Sequence, residues 1–268
     1  MRTNSATVVR YRDRVWRSPE ADEVAAEEPL EIRVEGNSVA VVMRTPGDDR
    51  ELAAGFALTE GIVRRRSDIF EITACLTNDP SRGNAVDITL TNPASFDAAK
   101  LSRHVFSSSS CGICGKATIA AAMQQFPAIG DAPQIAAPVL LDLPEKLRAA
   151  QETFARTGGL HACALFDPQG NLLLLREDVG RHNALDKLIG HELFEDRLPL
   201  GNRILLLSGR VSFEMVQKAL AAGIAIIAAI SAPTSLAVDF AQANNQTLIG
   251  FLRGETLNVY AGAGRLLG

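Results

Sequence analysis

Two cysteines, Cys111 and Cys114, lie in the run Ser107-Ser108-Ser109-Ser110-Cys111-Gly112-Ile113-Cys114-Gly115-Lys116. Four small polar residues and two glycines give this backbone little to bury, so residues 107–116 are expected to form an exposed, mobile loop. Residues 117–126 then read as a good helix former. A thiol close to a helix N-terminus and to Lys116 gains thiolate character from the peptide dipoles and the positive charge. Thiolate is the nucleophilic form, so the pattern points to a sulfur that attacks or carries something. Three other uses stay open on these residues. One is a zinc site completed by His161 and Cys163, with His104 and Cys75 further off; the others are a thioredoxin-like redox pair and an inert pair in a loop.

A second chemistry is suggested by four segments that place Arg beside Gly or a small polar residue. They are Arg176-Glu177-Asp178-Val179-Gly180-Arg181-His182-Asn183, Ser208-Gly209-Arg210, Ser231-Ala232-Pro233-Thr234-Ser235 and Arg253-Gly254-Glu255. Arginine offers phosphate a planar, two-pronged donor set, and helix N-termini offer free N–H groups to anions. In open α/β sheets such loops converge beyond the carboxyl ends of the strands. Four of them imply a large phosphate-bearing ligand, although a solvated strand end, a turn or a helix cap would account for each one singly. No G-x-G-x-x-G or G-x-x-x-x-G-K-[ST] occurs, so a Rossmann fingerprint or a P-loop is unsupported.

The elements that must hold these loops divide the chain in two. Alternating apolar runs at 29–35 and 38–43 around Gly36-Asn37 predict a hairpin, followed by a helix over 50–61 and strands at 69–77 and 85–91. Residues 1–142 thus read as a small α+β domain with the cysteine loop and a linker. From residue 143 helices alternate with continuous apolar strands, the mark of a layered α/β domain over 143–268. Helices are predicted at 144–156, 183–194, 213–222 and 234–244. Strands are predicted at 160–166, 171–176, 203–208, 224–230 and 247–252.

Composition narrows the class. The 268 residues are 47% apolar, 22% charged and 5% aromatic, which excludes a disordered, collagenous or disulfide-scaffold protein. Four cysteines are too few to staple a secreted fold, so a reduced, cytoplasmic compartment is expected. The first 17 residues are rich in arginine (Arg2, Arg10, Arg12, Arg14, Arg17) but lack the apolar core of a secretory signal. The most apolar run, 219–230, falls short of the roughly 20 residues a bilayer span needs and reads as a helix end entering a buried strand. Net charge is −4, which argues against a general nucleic-acid binder. Residues 101–268 carry 14 basic and 14 acidic side chains, and 10 of those bases are Arg, which suits a phosphorylated ligand.

Five blocks together resemble the FdhD family of formate dehydrogenase accessory sulfurtransferases. They are Cys111-Gly112-Ile113-Cys114-Gly115, Thr157-Gly158-Gly159-Leu160-His161, the run from Glu177 through Asp178-Val179-Gly180-Arg181-His182-Asn183-Ala184-Leu185-Asp186 to Lys187, Ser208-Gly209-Arg210, and Ile230-Ser231-Ala232-Pro233-Thr234-Ser235 with Gly250-Phe251-Leu252-Arg253-Gly254. The resemblance implies a protein that takes persulfide sulfur from a cysteine desulfurase. It would pass that sulfur to the molybdenum of a bis-molybdopterin guanine dinucleotide cofactor, bound as cargo, before the cofactor enters formate dehydrogenase. It also implies a main domain similar to cytidine deaminases and a homodimer. By the same resemblance Cys111 is the persulfide carrier and Cys114 its assistant. The stretch Phe251, Leu252, Arg253, Gly254, Glu255, Thr256 corresponds to a cofactor-binding segment, to which the residues themselves add Gly180, Arg181, His182, Gly209 and Arg210. Deaminase chemistry is not implied: H-x-E with a later P-C-x-x-C is absent, His161-Ala162-Cys163 has Cys in place of the Glu, and no zinc is expected. The rival function is a chaperone that binds the cofactor and docks on apo formate dehydrogenase without using its cysteines; neither nucleic acid nor membrane is an expected partner.

Overall fold

The computed structural model describes residues 1–74, 84–96 and 126–268. The expected cysteine loop at 107–116, with Cys111, Cys114 and Lys116, lies outside the described residues, as do Cys75 and His104.

Two mixed sheets organise the chain. The first contains β1 (Glu28–Val34), β2 (Asn37–Arg44), β3 (Ile69–Ala74) and β4 (Ala85–Leu90), in the order β2-β1-β4-β3. Only β1 and β4 run parallel. Its hairpin turns one residue earlier than the Gly36-Asn37 reading, at Glu35-Gly36, because both of these have positive φ (51° and 74°). That is the geometry of a two-residue type I′ loop, and Asn37 already pairs with Val34. α1 (Asp49–Thr59) packs on this sheet through Leu52, Ala53, Ala57 and Leu58.

The second sheet contains β5 (His161–Phe166), β6 (Leu172–Asp178), β7 (Ile204–Leu207), β8 (Ile226–Ala229), β9 (Thr247–Arg253) and β10 (Thr256–Ala261), in the order β6-β5-β7-β8-β9-β10. β7, β8 and β9 are parallel neighbours and the other pairings are antiparallel. Every residue of β7 and β8 is buried, which requires cover on both faces. One face carries α2 (Arg181–Phe194), α3 (Phe213–Ala221) and α4 (Ser235–Ala243). The other carries the short helices Ala137–Leu141 and Leu143–Ala150, through Leu140, Leu143 and Leu147. The fold is mixed α/β.

Differences from the sequence reading have local causes. The helix predicted over 144–156 is broken at Gln151, and a new helix, Glu152–Thr157, begins there. The Glu177 carboxylate accepts hydrogen bonds from Thr153 N (3.0 Å) and Phe154 N (2.9 Å), satisfying the free N–H groups of the new start. β10 and the N-terminal ribbon of Thr3–Val8 with Glu20–Ala25 carry no strong apolar signal, and both are mostly exposed.

The two halves of the chain share one core. α1 crosses α2 with backbone nearly touching backbone: a Cβ on Gly190 would lie 1.8 Å from Glu51 O, and one on Gly55 would lie 1.9 Å from Asp186 O. Beside the crossing is a buried ion pair, Asp186 Oδ2 to Lys218 Nζ at 2.8 Å, with Thr59 Oγ1 donating to Asp186 Oδ1 at 2.9 Å. Arg176 donates to Glu51 through Nε (2.6 Å) and Nη2 (2.8 Å), and His191 Nδ1 lies 2.9 Å from Glu51 Oε1. Burial alone would raise the Glu51 pKa, but the hydrogen bonds from Arg176 and His191 outweigh it and hold the carboxyl below its ordinary range. A depressed carboxylate stabilises the fold above its unfolded pKa, and that contribution is lost as pH falls through the folded value. Thermal unfolding below about pH 4 is therefore expected to show a shallower loss of Tm for Glu51→Gln than for the wild type. Identical slopes would mean the bridge contributes nothing.

Candidate functional site

The parallel strands β7, β8 and β9 end along one edge of the second sheet, and the antiparallel β5 starts there while β6 ends there. Four of the segments singled out in the sequence meet on this edge: β6 brings the first beside β5 through strand pairing, and hydrogen bonds from backbone N–H groups stitch the others into a row. Ala162 N donates to Ser208 Oγ (2.9 Å), which ties the start of β5 to the loop after β7. Val211 N donates to Ala232 O (3.1 Å) and Thr234 N to Val211 O (3.0 Å), joining the loops after β7 and β8. Phe251 N donates to Ser231 O (3.1 Å), which brings in the end of β9.

The loop after β6 is held by Asp178, which is fully buried. Its Oδ1 accepts from Gly180 N (2.8 Å) and Asn183 Nδ2 (3.0 Å), and its Oδ2 accepts from Thr45 N (3.0 Å) and pairs with Lys187 Nζ (2.7 Å). Lys187 also donates to Thr45 O and Asn183 to Met43 O, so the end of β2 is part of the mount. Arg176 and Glu177, read in the sequence as part of this ligand segment or as a solvated strand end, are neither. The first is bonded to Glu51 and the second caps a helix.

Three helices begin on the edge. α2 starts after Gly180 and α3 after Ser212, neither with a side-chain cap, while α4 is capped by Thr234 Oγ1, which accepts from Ala237 N (3.4 Å). Arg181, Arg210 and Arg253 stand here with no carboxylate partner among the described residues. Among the described residues the buried Arg181 Nε has no hydrogen-bond partner, and the Arg253 guanidinium lies 5.4 Å from the centre of the Phe251 ring. Phe251 itself has φ 52°, a left-handed conformation that a bulky residue adopts only under restraint. Gly254 and exposed Glu255 form the turn of the β9–β10 hairpin, and Thr256 Oγ1 donates to Arg253 O (3.1 Å). Leu252 is buried in the core beneath, so its side chain does not reach this surface.

Histidines complete the row. His161 stands within about a van der Waals contact of Gly209: a Cβ there would lie 3.2 Å from His161 Nδ1. Burial lowers the His161 pKa, and the charges of Arg181, His182 and Arg210 lower it further, which favours the neutral imidazole. His182 Nε2 lies 2.7 Å from Glu214 Oε2 at the first turn of α3. Glu214 was not singled out in the sequence; its place two residues after the N-cap Ser212 was the available signal. Cys163 follows His161 on β5 but is buried in the core, and burial pushes its thiol far above the ordinary range, so it is protonated. Among the described residues no group of three or more His, Cys, Asp or Glu side chains is arranged to hold a metal ion. Nor is any helix among them long and apolar enough to cross a membrane.

Known proteins share both the sequence and the fold. Residues 25–267 match the FdhD/NarQ family. A relative from Streptomyces coelicolor, named sulfur carrier protein FdhD, is 49% identical over 98% of this chain and 95% of its own. Relatives of the same name from Mycobacterium tuberculosis and Saccharolobus solfataricus are 48% and 42% identical, over 95% and 92% of this chain and 94% and 92% of theirs. A crystal structure from Desulfotalea psychrophila, described as a formate dehydrogenase accessory protein, superposes with a TM-score of 0.76 over 99% of both chains at 23% identity, a likeness of fold.

Proposed function

The chain belongs to the FdhD/NarQ family, and from that premise we propose that it is a sulfur carrier for formate dehydrogenase maturation, working in the cytoplasm. The finer reading is that Cys111 takes sulfur from a cysteine desulfurase and delivers it to the molybdenum of a bis-guanine-dinucleotide cofactor. On this reading the second sheet, with its flanking helices, is layered as in cytidine deaminases.

The observation that best supports a dinucleotide cargo is the row of Arg181, Arg210 and Arg253, without carboxylate partners among the described residues, beside three helix N-termini. Cationic side chains and oriented N–H groups on one edge suit pyrophosphate, and the Phe251 ring with its stacked Arg253 offers a flat face to a base. In the proposed loading step the Cys111 thiolate attacks the outer sulfur of the donor persulfide. The donor S–S bond breaks, and its electron pair leaves with the donor thiolate. In the proposed release, the Cys114 thiol attacks the Cys111 sulfur; a Cys111–Cys114 disulfide forms and hydrosulfide departs toward the metal.

Incubation with a cysteine desulfurase and cysteine is expected to add one sulfur atom to Cys111, located by mass spectrometry of the peptide. An unmodified Cys111 would sink the carrier reading. For the cargo site, Arg181→Ala is expected to weaken binding of a guanosine diphosphate probe by about 10- to 100-fold, the usual worth of a charged hydrogen bond. Calorimetric titration measures it, and an unchanged affinity would place the ligand elsewhere.

A further inference from the structure

We propose that His161 is a contact residue of the cargo edge, joining Arg181 and Arg210 as a third cation when a pyrophosphate diester binds there, so that binding carries a proton onto its ring. This rests on the reading of the edge as a cargo site and deepens it, since no step proposed so far uses a histidine.

The fold sets His161 between the two arginine loops. It is the first residue of β5 and pairs in register with Asp178 at the end of β6, which leads into α2 and Arg181. On its other side Ala162 N donates to Ser208 Oγ, which fixes the loop that carries Gly209 and Arg210. The imidazole lies against Gly209, where a Cβ would stand 3.2 Å from Nδ1 and 3.4 Å from Cε1, so a bare backbone makes room for the ring. The residue is only partly buried, and no hydrogen bond joins either ring nitrogen to another described residue. A donor and an acceptor therefore remain to be used at the edge.

The charges around it decide which form the ring takes. Burial lowers the His161 pKa, and Arg181 and His182 at the start of α2 and Arg210 after β7 lower it further. Asp178 opposes them, but its carboxylate is already matched by Lys187 at 2.7 Å and by the N–H groups of Gly180 and Thr45. Glu214 on α3 is turned to His182, 2.7 Å away. Arg181 and Arg210 have no carboxylate partner among the described residues, so in the empty protein positive charge dominates at the ring. A pyrophosphate seated between the two arginines reverses that balance. An opposite charge within about 4 to 6 Å raises a cation's pKa by about 1 to 3 units, enough to protonate the ring and let it donate to a phosphate oxygen. A pyrophosphate esterified at both ends has no proton of its own to give or take near neutral pH, so the proton comes from water. The sign follows: a group whose pKa is higher in the complex favours binding at low pH, and that gain is lost as pH rises through the bound value.

The test titrates the full chain with diguanosine pyrophosphate, a diester that does not titrate in this range, in two phosphate-free buffers of different ionisation enthalpy. Calorimetry is expected to show net proton uptake near neutral pH and affinity about tenfold tighter at about pH 5.5 than at about pH 8. His161→Gln, which cannot take the proton, should lose the uptake and flatten the profile. In the wild type, the His161 ring resonance, assigned through the backbone, should move its titration midpoint up by about one unit or more when the probe saturates. Binding without proton uptake, uptake that survives in His161→Gln, or an unmoved midpoint would overturn the role of His161 while leaving the cargo site in place. A wild type that does not bind the probe at all would overturn both, and the sulfur on Cys111 is read independently of either.

Discussion

A Gly190→Val variant is expected not to fold, and Gly190→Ala to lose at least about 3 kcal/mol of stability, or roughly 6 to 12 °C in Tm for a chain of this size. Helix propensity predicts the opposite, since Ala in place of an interior Gly favours a helix by about 1 kcal/mol. The geometry of the crossing decides between them. A Cβ on Gly190 would sit 1.8 Å from Glu51 O and 2.8 Å from Gly55 N, and both obstacles are backbone that cannot rotate aside. The helices would have to separate, opening gaps around Leu52, Leu58, Leu185 and Leu188, all of which are buried there. Gly36→Ala supplies the control. Gly36 also has no Cβ, but nothing lies within 4 Å of where one would be, and its cost is only that of φ 74°, about 1 kcal/mol. Thermal unfolding of the two variants side by side measures the difference. A Gly190→Ala protein as stable as wild type would mean that α1 and α2 are not in backbone contact.

The same two glycines mark where sequence reasoning stops. Gly55 and Gly190 lie inside predicted helices, which signals close packing, but nothing in the sequence names the partner. Patterned elements were legible because period and burial coincide. The apolar run 219–230 is the end of α3 and then β8, and Asn183 to Phe194 lie within α2, as predicted. Elements with few buried residues were not legible: β10 has one buried position, and the two long strands of the N-terminal ribbon, joined by backbone pairing and the Arg10 ion pairs, have none. At the site, Gly180, Arg181, Gly209, Arg210 and Arg253 could be picked out because Arg and Gly are conspicuous at strand ends. Their neighbours Glu177 and Asp178 look equally chemical in one dimension. Only long-range contacts, to Thr153 and to Thr45, show that they build the mount.

Asp178→Ala is expected to destabilise the protein by about 3 to 5 kcal/mol and to weaken guanosine nucleotide binding at the same time. The stability loss follows from what is left behind. Lys187 is almost fully buried, and without Asp178 its ammonium keeps, among the described residues, the Thr45 carbonyl alone, while the Thr45 N–H loses its acceptor. A buried charge without its counterion costs more than the pair contributed. Lys187→Met in the same chain should therefore recover part of the stability, and the double variant should be less destabilised than the sum of the singles. Binding should not recover with it. Gly180 N and Asn183 would still lack the carboxylate that positions the start of α2, and Arg181 and His182 follow directly on that start. Unfolding curves and nucleotide titrations of the three variants separate the two effects. Additive stabilities would mean Asp178 and Lys187 are uncoupled, and full binding in the double variant would mean the loop is set by something other than Asp178.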